Sequence, residues 1–155
     1  MIGDLCFERL EKMGLKAEGI DSHQVRVLFP DVGFTRVDRS IYIERIGHLV
    51  SVLETNGISV VASFVSPYAE SRDFVRTQCR NFIEAHVNAS VEICRSRDQR
   101  GLYSRAVKGE IPNFTGVSDM YEEPQKPEIV IDADRQSPDE AARRIFGYIK
   151  KEFLS

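Results

Sequence analysis

No apolar run in this chain approaches the ~18 residues of a membrane span, and the opening Met1-Ile2-Gly3-Asp4 lacks the basic region of a signal peptide. A protein with no membrane partner, working in the cytoplasm, is the expectation. Cysteine is scarce. Cys6, Cys79 and Cys94 are odd in number and show neither CxxC nor zinc-ligand spacing, which excludes a disulfide framework and points to free thiols in a reducing compartment. An excess of positive charge is missing too. The formal net charge is −3, which argues against duplex DNA as a bulk partner while permitting a local basic cleft. The histidines, His23, His48 and His86, share no metal-ligand spacing, and no Ser-His-Asp or Cys-His arrangement follows from the order of residues. Internal repeats and low-complexity tracts are absent. With 42% hydrophobic and 29% charged residues, disorder, collagen and coiled-coil arrays are excluded as well.

What is present fits one globular domain over residues 1–155, long enough to bury a core without staples. Leu5, Cys6, Phe7, Leu10 and Met13 recur at three- and four-residue spacings, so 3–13 is read as a helix closed by Gly14. A short strand follows over 16–21, then a helical turn over 24–29 stopped by Pro30. Residues 38–56 form a long helix with Ile43, Ile46, Val50 and Leu53 on one face. The almost continuous apolar run 58–65 predicts a central parallel strand buried on both faces. Beyond it come a helix over 69–80, a strand over 81–87 and a helix over 91–97 capped by Ser90. A last strand covers 128–132. Ser137-Pro138-Asp139-Glu140 then opens a helix that turns Ala141, Ala142, Ile145, Ile149 and Phe153 inward. Strands alternating with helices predict an α/β fold, a parallel sheet with helices on both faces. The Gly-, Pro- and polar-rich segment 98–126 is too long for a simple connection and reads as a functional lid.

In such sheets ligands bind beyond the carboxyl ends of the strands. Those ends carry Asp21-Ser22-His23, the run Ser63 to Tyr68, Val87-Asn88 and the Asp132 turn. Arginine is dense among them: Arg26, Arg36, Arg39, Arg45, Arg72, Arg76, Arg97, Arg100 and Arg105. Guanidinium groups give bidentate contacts to phosphate or sulfate oxygens, so a cleft for a phosphorylated ligand is one reading and solvated helix surface the other. Phe34 and Phe114 sit in loops, where they either plug the core or sandwich a planar base. His48, within a helix, and His86, within a strand, are read as structural.

Several of these stretches resemble the adenylylsulfate kinase (APS kinase) family. Ser-Phe-Val-Ser-Pro-Tyr at 63–68, followed by Arg72-Asp73, looks like a signature of that family. So do Gly101-Leu102-Tyr103, Gly109-Glu110-Ile111, Phe114-Thr115-Gly116, Tyr121-Glu122-x-Pro124 and the strand 127–132, in the same order. Upstream, Gly33-Phe34-Thr35, Asp38-Arg39 and Arg45-Ile46-Gly47 match the family's glycine-phenylalanine loop and following helix. The resemblance implies a three-layer P-loop kinase fold. It implies transfer of the γ-phosphoryl group of ATP, with Mg²⁺, to the 3′-hydroxyl of adenylylsulfate, and a homodimer. It places Arg26 and Arg39 on the phosphosulfate and ribose side, and Phe34 and Phe114 around the adenine. Val65 and Ser66 would line the substrate site, with Asp21 and Ser66 nearest the chemistry. Arg97, Arg100, Arg105 and Thr115 would form the nucleotide-facing lid.

The departures are equally concrete. The family opens with a strand and Gly-x-x-x-x-Gly-Lys-Ser/Thr, whose amides and lysine cradle the ATP phosphates, and no such motif occurs in the 155 residues. The expected sheet therefore lacks its first, central strand, and this exact chain is expected to be inactive. Asp-Gly-Asp of the family reads Asp21-Ser22-His23 here, an expected asparagine is Tyr42, and an expected lysine pair is Ser104-Arg105. On these departures two other readings stay open: a non-catalytic relative that binds a nucleotide or a partner, and a P-loop kinase for a different small molecule.

Overall fold

A computed structural model describes residues 1–154. Helix α1 (Ile2–Lys12) leads into strand β1 (Ala17–Asp21) and the short helix α2 (Ser22–Arg26). Helix α3 (Arg36–Thr55), strand β2 (Ser59–Ser63) and helix α4 (Ala69–Gln78) follow. Then come β3 (Ala85–Asn88), α5 (Val91–Ser96), α6 (Leu102–Val107), β4 (Ile129–Asp132) and α7 (Pro138–Phe153).

The helix starts follow from local chemistry. Ser137 and Glu140 exchange side-chain bonds with each other's backbone N–H, and Pro138 supplies the first turn, as the sequence predicts. Thr35 and Asp38 form the same reciprocal cap on α3, which is why that helix begins two residues before the expected Asp38. The Thr35 hydroxyl holds the Asp38 carboxyl below its ordinary range. Asp21 accepts the His23 N–H and starts α2 at Ser22, ahead of the predicted 24–29 turn.

All strand pairing is parallel. In β1–β2, Ala17 lies opposite Ser59 and Asp21 opposite Ser63; in β3–β4, Ala85 lies opposite Ile129 and Asn88 opposite Asp132. Two apolar clusters fill the space between helices and strands. One joins Cys6 of α1, Ile129 and Ile131 of β4 and Ala141, Ala142 and Ile145 of α7, with Val61 of β2 and Ala85 of β3 packed against it. The other joins Val32 to Tyr42, Ile43 and Ile46 of α3, with Phe64 and Val75 against it. Helices thus cover both faces of the strands, the expected three layers.

Among the described residues no ladder joins β2 to β3. The sheet is split into two pairs. This corrects one expectation: β2 is not buried on both faces, since Ser59, Ala62 and Ser63 are exposed. A central strand is buried by what flanks it, and β2 is paired along one edge. Other corrections are smaller. β3 begins at Ala85 rather than 81, because the Asn81 N–H goes to the Glu54 carboxylate and the Glu84 N–H to that of Glu128 instead of to a neighbouring strand. Phe153 lies at the frayed end of α7 and is 44% exposed rather than inward. The 98–126 segment contains the helical turn α6, for which Asp98 accepts the Tyr103 N–H. All three cysteines are free, and burial raises the Cys6 thiol pKa.

Candidate active site

The register places Asp21 directly opposite Ser63, so the carboxyl ends of β1 and β2 open together on one side. Several of the residues expected to bind ligand are already engaged with the protein. Asp21 Oδ1 takes the His23 N–H at 2.8 Å. Arg26 donates from Nη2 to the carbonyls of Val32 (3.0 Å) and Gly33 (2.5 Å). Its guanidinium lies between two rings, 4.0 Å from the Phe34 centroid and 4.8 Å from that of Tyr42.

Tyr42 is 3% exposed. Its hydroxyl donates to the Ser22 carbonyl at 2.8 Å, and its ring meets Phe29 and Phe64, each at 5.9 Å. The position where the resemblance leads one to expect asparagine is thus filled by a packed aromatic whose ring lies against the Arg26 guanidinium.

Arg39 joins the two aromatic loops. Its Nε donates to the Phe34 carbonyl (3.1 Å) and its Nη2 to that of Asn113 (2.7 Å), the neighbour of Phe114. Phe34 is 55% exposed at the opening. The Phe114 ring meets Tyr103 edge-on at 4.9 Å. Burial together with a hydrogen bond to Cys94 pushes the Tyr103 hydroxyl up to about 12, so it stays protonated. Val65 is 60% exposed, a large apolar side chain facing solvent beside the strand ends. Ser66 follows it with a left-handed backbone, φ 41°.

The 98–126 arginines are spread out. Arg100 Nη1 lies 3.2 Å from His23 Nε2 and so ties the segment to the end of β1. Arg105 pairs with Glu110 at 3.1 Å on an exposed surface, where such a pair contributes little. Arg97 stands near Asp134, whose carboxyl is held low chiefly by Ser90. Thr115 Oγ1 is buried without a hydrogen-bond partner.

Another group was not singled out by sequence reasoning. Glu122 accepts from Arg36 (3.0 Å) and from the Ala69 N–H at the start of α4 (2.8 Å), and these donors lower its pKa, the Ala69 N–H foremost. Tyr68, 1% exposed, donates to Asp119, and Arg36 lies over its ring at 4.2 Å. Asp119 and Glu122 therefore fasten the far end of the 98–126 segment to α3 and α4. The signal was Tyr68 within the apolar-aromatic run and an acid within Tyr-Glu-x-Pro, but the partners lie about 50 residues apart and no local pattern pairs them.

Among the described residues no group of three or more His, Cys, Asp or Glu side chains could hold a metal ion. One carboxylate at the strand ends suits an ion that arrives with nucleotide phosphates and keeps its waters, as Mg²⁺ does, rather than a protein cage. No helix of the described residues is long and apolar enough to cross a membrane.

Comparison with known proteins agrees with this arrangement: the adenylylsulphate kinase family profile matches residues 2–132. The chain belongs to the adenylylsulfate kinase family. The "Adenylyl-sulfate kinase" of Thermodesulfovibrio yellowstonii is 44% identical over 152 residues, covering 96% of this chain and 76% of that protein. The "Probable adenylyl-sulfate kinase" of Pseudomonas aeruginosa is 43% identical over 138 residues, 88% of this chain and 64% of its own length. The solved Mycobacterium tuberculosis APS kinase, in complex with AMPPNP and APS, superposes with a TM-score of 0.89 at 29% identity, covering 96% of this chain and 88% of that one. The family resemblance in the motifs and the α/β architecture of adenylylsulfate kinases are thus both found here.

Proposed function

We propose that these 155 residues belong to an adenylylsulfate kinase, which passes the γ-phosphoryl group of ATP to the 3′-hydroxyl of adenylylsulfate. The observation that carries this reading is the Arg26–Phe34–Arg39–Asn113 constellation. Two arginines and an exposed aromatic ring converge where β1 and β2 end, and Arg39 bonds both the Phe34 loop and the Asn113 carbonyl. Cations there suit a phosphosulfate and ring faces suit an adenine.

In the reaction the 3′-hydroxyl oxygen bonds the γ-phosphorus, the bond from that phosphorus to the β–γ bridging oxygen breaks, and ADP leaves with the bond's electron pair. Such transfers depend on positioning and charge neutralisation more than on a strong base. Asp21 is the carboxylate we assign to the hydroxyl proton. Val65 and Ser66 line the substrate, and Phe34 and Phe114 hold its base. Arg100, Arg105 and Thr115 belong to a lid over 98–126, opened by Arg97, that closes on ATP and excludes water. Mg²⁺, bound to the ATP phosphates with Asp21 nearby, would neutralise their charge.

The same reading makes the 155 residues by themselves inactive, because the phosphate-cradling glycine loop and lysine are not among them. Cytoplasmic location and a homodimer, checked by sedimentation, complete the proposal. Calorimetry with adenosine 5′-phosphosulfate tests it. Binding by this chain without turnover, and turnover by a protein that also carries the glycine-lysine motif, is the expected result. No binding by either protein would overturn it. The replacement of an acid by His23 favours the second reading, a kinase for a different small molecule, and turnover with other nucleotides but not adenylylsulfate would establish that one.

A further inference from the structure

Ser66 has the most strained backbone at the mouth of the site. Its φ of 41° lies in the left-handed region that residues other than glycine seldom enter. The next residue is Pro67, whose ring steers the residue before it toward an extended conformation. Both local preferences oppose what Ser66 does, and strain of this kind persists only where surrounding contacts over-determine it.

The over-determining contacts converge on Arg72. This side chain of α4 sits in a residue only 8% exposed, unusual for arginine. Its Nη1 donates to the Ser66 carbonyl at 2.7 Å and its Nη2 to the Glu122 carbonyl at 2.6 Å. Its Nε stands 2.8 Å from Glu84 Oε1, an ion pair whose angle falls short of a hydrogen bond. Glu122 closes the ring by donating its N–H to the Pro67 carbonyl at 2.8 Å. One planar fork thus grips the turn after β2, the end of the 98–126 segment and the approach to β3.

We propose that Arg72 is a positioning residue: it holds Ser66 in its left-handed turn and so shapes the floor of the adenylylsulfate pocket. The inference rests on the proposed function and deepens it, since Arg72 itself touches no substrate. Lysine in its place keeps a charge beside Glu84 but cannot hold two carbonyls with a rigid fork. Glycine at position 66 enters the left-handed region at no steric cost and removes the need for a clamp.

The test is a cycle of four proteins: wild type, Arg72→Lys, Ser66→Gly and the double variant. Each is measured by calorimetric binding of adenosine 5′-phosphosulfate and by thermal unfolding. Arg72→Lys by itself is expected to weaken binding about tenfold or more. Added to Ser66→Gly, it is expected to weaken binding less than about threefold, because coupled residues are non-additive. Equal penalties in the two backgrounds overturn the proposal. Ser66→Gly by itself is expected to hold or raise Tm, whereas a fall of more than about two degrees shows that Ser66 was not strained and overturns it too. That arm needs no ligand and decides even where Arg72→Lys fails to fold. If wild type takes no adenylylsulfate, the functional reading falls while the Tm cycle still judges the clamp.

Discussion

Replacing Arg39 by alanine separates binding from folding. In the unliganded protein this side chain makes two hydrogen bonds, to the carbonyls of Phe34 and Asn113, and lies 5.7 Å from the Phe34 ring centroid. Hydrogen bonds of this kind contribute about 0.5–1.5 kcal/mol each, and the values near the surface fall at the low end. Both acceptors can turn to water after truncation, so the folding loss should be about 1 kcal/mol. With adenylylsulfate bound, the guanidinium serves an anion, and a charged hydrogen bond is worth about 1.5–3 kcal/mol. That converts to a roughly ten- to hundredfold rise in Kd. Arg39→Ala should therefore lose more affinity than stability. Calorimetry with adenosine 5′-phosphosulfate and urea unfolding on the same preparation measure the two quantities. An unchanged Kd removes Arg39 from the site. A stability loss as large as the binding loss would mean that Arg39 acts only by holding the two loops together.

Phe114→Ala should raise Kd for adenosine 5′-phosphosulfate through lost stacking and leave ATP less affected; equal effects on both ligands contradict the assigned clamp. Ile131, fully buried in the α1–β4–α7 cluster, should cost about 2–5 kcal/mol when cut to alanine, read from the urea midpoint, and a loss under 1 kcal/mol would mean that the cluster collapses onto the void. The Arg76 fork, at 2.6 and 3.0 Å, lowers the Glu128 pKa from its ordinary 4.5. A depressed carboxylate contributes stability above 4.5 that is lost as pH falls through its folded value, so Tm should drop on acidification below 4.5. Glu128→Gln should flatten that acid limb, and identical pH profiles for the two proteins would refute the linkage.

Legibility in the sequence tracked how local each cause is. The cap of α7 could be read directly, since Ser137, Pro138 and Glu140 act within one turn. The faces of α1 and α3 could be read from spacing, and Cys6, Leu10, Ile43 and Ile46 are indeed buried. The depth of β2 could not, because an apolar run says nothing of whether a neighbour stands along each edge. The site divides the same way. Phe34 and Val65 are exposed large hydrophobics and Arg39 bridges the Phe34 and Asn113 carbonyls, contacts within reach of the motifs' spacing. The grip of Arg26 on the carbonyls of Val32 and Gly33 was invisible, as it depends on how the 27–33 loop turns back. Arg72 and Glu122 were named in the motifs, but their contact was not foreseen, for a related reason. Their worth lies in contacts 50 residues apart, and an arginine on a helix ordinarily reads as surface.

The split between the two strand pairs has a bearing on how this chain holds together as it melts. In an unbroken sheet, ladder hydrogen bonds carry cooperativity from strand to strand. Here side-chain packing must carry it, with α1 in the key position: Cys6 belongs to the cluster of β4 and α7, Val61 of β2 packs against that cluster, and Gly3 faces the Ser63 hydroxyl at the end of β2. A helix that touches both clusters of strands is thus the rivet between halves that, among the described residues, share no backbone pairing. Loosening it would let β1–β2 and β3–β4 lose their order at different temperatures.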